Sequence, residues 1–174
     1  MDGPQECREF LVRRNTIPSA SATLFRKDVY ERVGGADEDL VFCGDWKTWA
    51  AMALTGGRIE YIGEPLNYHR FNETNVTSRN QRLGTEAIEY LKVVRWILQR
   101  VTPTDATRGK VCDDLFSLWH PKVLTSGIPL SLRWAILADA RAVDRNAVRK
   151  LLHSALRGLR LTISRRCRSL RFRF

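Results

Sequence analysis

The residues best suited to chemistry crowd into GGADEDLVFCGDWKTWAAM, residues 34–52, which holds four carboxylates and two tryptophans. Asp45 follows Gly44 and precedes a helical period. That places it at or beside a helix N-cap, where free backbone N–H groups and the positive helix end keep a carboxylate ionised. An ionised carboxylate held at a rim can accept a proton from a substrate hydroxyl, and Trp46 or Trp49 can offer a flat apolar face to a sugar ring. Asp is also a common cap, and tryptophans at helical spacing usually face a core. Taken alone, the pattern leans toward that packing role.

The elements around this stretch read as an alternation. SASATLF, residues 19–25, mixes small and β-forming residues as a buried strand does, and RKDVYERVGG reads as a short helix stopped by Gly34 and Gly35. Trp46, Trp49, Ala50 and Ala53 fall at i, i+3, i+4 and i+7, so DWKTWAAMALT reads as an amphipathic helix ended by Gly56 and Gly57. RIEYI then reads as a strand, and EPLNYHR leaves it. Strand and helix in turn predict part of an α/β sheet. From about Thr85 the period becomes helical throughout. Ile88, Leu91, Val94, Ile97, Leu98 and Val101 share a face before Pro103, and Cys112, Leu115, Phe116 and Trp119 repeat it before Pro121. Ser131 is expected to cap a third helix. Three parts result: residues 1–84, a helical annex over 85–145, and a tail over 146–174.

The order of these pieces resembles the C-terminal half of the catalytic domain of family-two glycosyltransferases, an inverting group with the Rossmann-like, nucleotide-sugar A-type fold. The resemblance covers about Asn15 to Arg79. It rests on a small-residue strand ending at Phe25-Arg26, the Val33-Gly34-Gly35 turn with Asp37-Glu38, Gly44-Asp45-Trp46 opening a helix, and the Glu64-Pro65-Leu66 exit followed by Tyr68 and Arg70. It implies that Asp45 is the general base, deprotonating an acceptor hydroxyl as that oxygen attacks the anomeric carbon of a nucleotide sugar. Trp46 would then pack beside the acceptor pocket as a substrate contact, Ser19 and Ser21 would lie near the acceptor at a strand end or serve only as small packing residues, and Arg70 would meet the diphosphate or form an ion pair within its own loop. Trp49 is expected in the core. The acceptor would be a saccharide or lipid-linked glycan, in the building of a surface polysaccharide.

The complete enzymes of this group use a divalent metal, Mg or Mn, held by an Asp-x-Asp that follows a nucleotide-cradling segment. Asp37-Glu38-Asp39 matches those letters but falls after the glycine turn, so it reads as a solvated loop. Asn72 stands where the family often carries a histidine, and His69 precedes Arg70; neither is read as a ligand. No metal is expected for this chain alone. About the first half of the expected domain is not in it, so the chain reads as a truncated enzyme with little or no activity by itself.

Charge is distributed unevenly. Of the 29 Lys and Arg and 19 Asp and Glu, residues 141–174 hold eleven cations and one acid, Asp144, so a neutral body over residues 1–140 is followed by a C-terminal stretch of +10 that includes the tail. Val148, Leu151, Leu152, Ala155, Leu156 and Leu159 form one face of that tail, and Arg149, Lys150, His153, Arg157 and Arg160 the other. Such a helix can lie in an anionic membrane surface, or pack its apolar side on the annex. Nucleic acid is a weaker candidate partner, since no helix-turn-helix, zinc-finger or RNA-binding pattern occurs. A noncatalytic interaction fragment is the remaining alternative. Four scattered cysteines and an N-terminus without a secretory pattern point to a reducing cytoplasm, with the tail on the inner face of the membrane.

Overall fold

The computed structural model describes residues 1–17, 19–68, 84–124 and 127–157. Its elements are helices: α1 (Gly3–Glu6), running on into a wider π-helical turn over Cys7–Leu11; α2 (Lys27–Arg32); α3 (Gly44–Ala53); α4 (Thr85–Leu98); α5 (Asp105–Leu124); α6 (Leu130–Val143); and α7, residues 147–157. Among the described residues there is no β-sheet; one antiparallel bridge joins Asp2 to Arg58. The expected α/β architecture is therefore overturned.

The correction has a physical cause. A strand draws its backbone hydrogen bonds from a neighbour, so β-forming residues make a sheet only where a second strand lies alongside. SASATLF finds none. Its Ala20–Ala22 close a single 3-10 turn, and Leu24 is fully exposed. RIEYI pairs only at its start, where Ile59 N donates to Met1 O (2.9 Å) and the amino terminus donates to Ile59 O (2.7 Å). Tyr61 and Ile62 beyond it are exposed.

Helices need no such partner, and the helical period is where sequence and structure agree. In α3 the residues Trp46, Trp49, Ala50 and Ala53 are all buried, and the chain leaves through Gly56 at φ +91°, a left-handed conformation suited to glycine. Leu91, Val94 and Ile97 of α4 are buried as its spacing demands, with Ile88, Leu98 and Val101 packed at their edge. α1 is an element additional to those read from the sequence, and its signal is local. Asp2 caps it, accepting from Gln5 N (3.1 Å), and Pro4 fills a first-turn position where no amide is needed. Two boundaries also differ. α6 starts from Pro129 with no side-chain cap, so Ser131 lies inside its first turn. α5 continues through Pro121 to Leu124. There a proline withholds one backbone bond, while Lys122 pairs with buried Glu86 at 2.7 Å and Val123 packs on the core.

A single hydrophobic core runs from Cys7, Leu11 and Trp46 through α4 to Trp119, Ile136 and Ala147. It crosses the boundary expected at residue 84. α7 joins it through Ala147 and Leu151.

Candidate functional site

Asp45 sits in the first turn of α3, half-buried, one residue past Gly44. Its Oδ1 accepts from the amide of Trp46 at 2.6 Å and its Oδ2 from Asn15 Nδ2 at 3.5 Å. Asn15 is itself fixed by accepting from Ile17 N (3.1 Å). Burial raises the Asp45 pKa above the ordinary aspartate value, and the hydrogen bonds from Trp46 and Asn15 oppose that rise without cancelling it. Position alone pointed to a carboxylate favoured in its charged form. The structure reverses the sign because desolvation outweighs the helix end.

That direction has a consequence for stability. A carboxyl whose pKa is higher folded than unfolded holds its proton longer in the native state, so its contribution is full at low pH and is lost as pH rises through the folded pKa. Asp45→Asn, which cannot ionise, should therefore gain on the wild-type chain as pH climbs from acid to neutral. Urea midpoints across that range check this; a variant that instead loses ground with rising pH would show the carboxylate to be stabilised in its charged form.

Three packed residues hold this corner. Glu89 of α4, nearly buried, accepts from three successive amides ahead of α3: Val41 (3.2 Å), Phe42 (2.7 Å) and Cys43 (2.8 Å). Its carboxylate serves as a cap delivered from another helix. Trp46 anchors the other side. Its Nε1 donates to Leu11 O at 2.9 Å, and its ring lies 4.8 Å from that of Tyr90. Asp37 takes an ion pair from Lys47 and accepts from Asp39 N (3.0 Å), and the Lys47 hydrogen bond holds its pKa below the ordinary value. Neither Asn15 nor Glu89 stood out in the sequence, since each lies far along the chain from Asp45.

The other candidate residues fare differently. Trp46 is 1% exposed, so it forms core and offers no face to a sugar ring; its expected place in an acceptor pocket is corrected. Trp49 is buried as expected, against Phe25 at 5.5 Å, with its Nε1 lacking a hydrogen-bond partner. Ser19 and Ser21 bond each other (2.8 Å), and Asn67 donates to Ser21 Oγ at 3.4 Å. They lie on an exposed turn instead of a strand end. Arg70, His69 and Asn72 fall outside the described residues.

Among the described residues no group of three or more His, Cys, Asp or Glu could hold a metal ion. Asp37, the first carboxylate of the Asp-x-Asp triplet, is already engaged by Lys47. The described residues offer no ligand set for the divalent ion of the complete transferases. An open cavity of about 510 Å3 lies away from Asp45, between α5 and the α6–α7 turn. Within it Lys150 pairs with Asp113 (2.9 Å) and Asp144 (3.1 Å), so its charge is neutralised internally. No helix among the described residues is long and apolar enough to cross a membrane. The chain matches no family model, no curated protein and no solved structure.

Proposed function

We propose that this chain presents the acceptor-activating base of an inverting glycosyl transfer, with Asp45 taking the proton of a saccharide or lipid-linked hydroxyl as its oxygen attacks the anomeric carbon of a nucleotide sugar and the nucleoside diphosphate departs with the broken bond's electron pair. The setting would be surface polysaccharide synthesis. The observation that carries the reading is the Asp45 carboxylate itself, half-buried at the start of α3 and oriented by Asn15 and the Trp46 amide. Desolvation makes it a stronger base than a free aspartate, which suits proton abstraction from a weakly acidic hydroxyl. The order of motifs from Asn15 to Arg79 supports the assignment of substrate class. With no sheet among the described residues to frame the site, the proposal rests on this local constellation.

Titrating the chain with mono- and oligosaccharides tests it. The expected result is movement of the Trp46 backbone amide and the Asn15 side-chain amide in NMR spectra, abolished in Asp45→Asn while circular dichroism is unchanged. Should every saccharide leave both signals in place, the base has no acceptor and the reading ends.

A second reading is favoured by the burial of Trp46 and the exposed basic helix at the C-terminal side. In it the chain is a noncatalytic helical protein that associates with an anionic partner. Saccharide indifference combined with tight binding to anionic vesicles would select it.

A further inference from the structure

The outer edge of α6 is apolar and uncovered. Leu130 and Trp134 are each 69% exposed, and Ala138 and Ala142 continue the stripe at four-residue spacing. The inner side is accounted for: Ile136, Ala140 and Val143 are buried in the core. Of the five tryptophans, Trp46, Trp49 and Trp119 are buried and Trp96 is half-covered beneath Arg100, 4.0 Å away. Trp134 alone is turned out to solvent.

The neighbouring helix repeats the pattern. Where the sequence offered one apolar face for α7, the structure divides it: Ala147 and Leu151 pack inward, while Val148, Leu152 and Leu156 stay exposed, each followed by a basic or titratable residue, Arg149, His153 and Arg157. The packing side of that helix is thus taken up by the core, and its other apolar positions are left uncovered.

Charge decides what fits such a surface. The acid of α6, Asp139, faces Arg95 at 3.8 Å, and residues 145–157 contain none. Arg141, Arg145, Arg149 and Arg157 are exposed and make no ion pair among the described residues, so the stretch from Leu130 to Arg157 carries its exposed apolar side chains together with uncompensated cations. A second copy of a chain with net charge +10 would meet like charge there. Nucleic acid would answer the arginines but leave Leu130, Trp134, Leu152 and Leu156 without an apolar medium. An anionic bilayer answers both, with cations among headgroups and apolar side chains at the acyl boundary, where a tryptophan ring is well suited.

We propose that α6 docks on anionic membrane, inserting Leu130 and Trp134 at the interface beside the exposed arginines of α6 and α7. This goes beyond binding by the basic tail, and it stands whether or not the chain takes part in glycosyl transfer.

The test is tryptophan emission of the full chain with vesicles of phosphatidylcholine and phosphatidylglycerol in equal parts, set against phosphatidylcholine alone. A blue shift on the mixed vesicles only is expected, fading as salt is added. Trp134→Phe should abolish the shift while the protein still sediments with the vesicles. The pair Leu130→Ser and Trp134→Ser, both at exposed positions, should weaken sedimentation by roughly tenfold with circular dichroism unchanged. Sedimentation without any Trp134 signal, and undiminished in the double variant, would mean that the tail binds alone and would overturn the proposal. So would failure to bind the mixed vesicles, a shift produced by duplex DNA instead of lipid, or a stable dimer whose Trp134 emission is already blue without lipid.

Discussion

Trp46→Ala should lower the stability of the chain by about 3–5 kcal/mol, the usual cost of deleting a large aromatic from a packed interior. Two losses combine. The ring leaves a hole between Tyr90 and the α1 side of the core, and Leu11 O loses the indole N–H that satisfies it at 2.9 Å. That carbonyl lies where the π-helical turn over Cys7–Leu11 ends, so the two N-terminal turns are expected to loosen together. Trp46→Phe separates the terms: it keeps most of the packing and loses only the hydrogen bond, for a cost of about 1–3 kcal/mol. Urea unfolding of both variants measures this. If Trp46→Ala unfolds at the wild-type midpoint, Trp46 does not fill the core, and a role in an exposed pocket returns to consideration.

Glu89→Ala is the second large effect, expected at about 2–4 kcal/mol, because it strands the amides of Phe42 and Cys43 without an acceptor. Val41 is exposed, so water can replace its bond. Cys43 is buried and water cannot reach its amide so easily. Amide exchange should therefore accelerate most at Cys43, with the loop over residues 36–43 following it and the annex helices α5 and α6 unaffected. Glu89→Gln keeps one carbonyl acceptor and should fall between the two. Equal protection of Cys43 in wild type and Glu89→Ala would show that some other group caps α3.

These two residues also mark how far the sequence could be read. Helices were legible because their signals are local: the spacing of Trp46, Trp49, Ala50 and Ala53 specifies a buried face, and Gly34, Gly35 and Gly56 stop the chain where positive φ is needed. SASATLF and RIEYI misled because β propensity describes how a residue fits a sheet that neighbours must build, and here the nearest backbone offers only the Asp2 to Arg58 bridge. Asp45 itself was legible as a helix-start carboxylate. Its protonation was not, since desolvation depends on Asn15, Trp46 and the surrounding packing, none of which spacing can weigh. Glu89 contacts the acidic loop from some 46 residues away, as the bond to Cys43 measures it, and no local pattern announces a cap supplied from another helix.

The splitting of the α7 face carries the same lesson. Helical periodicity found the apolar positions correctly, but only the tertiary arrangement says which of them the core takes up. Leu151 and Leu152 are adjacent in sequence and meet different surroundings. The uncovered half, with Trp134 and Leu130 on α6, is where a partner has something to gain.

Whether Asp45 is a working base is tested most directly by following its side-chain carboxyl carbon by NMR through a pH titration, with and without saccharide. The account predicts a midpoint above that of an ordinary aspartate in the free chain, and a change in both resonance and midpoint when an acceptor hydroxyl engages the carboxylate. A midpoint at or below the ordinary value, unmoved by any saccharide, would contradict it.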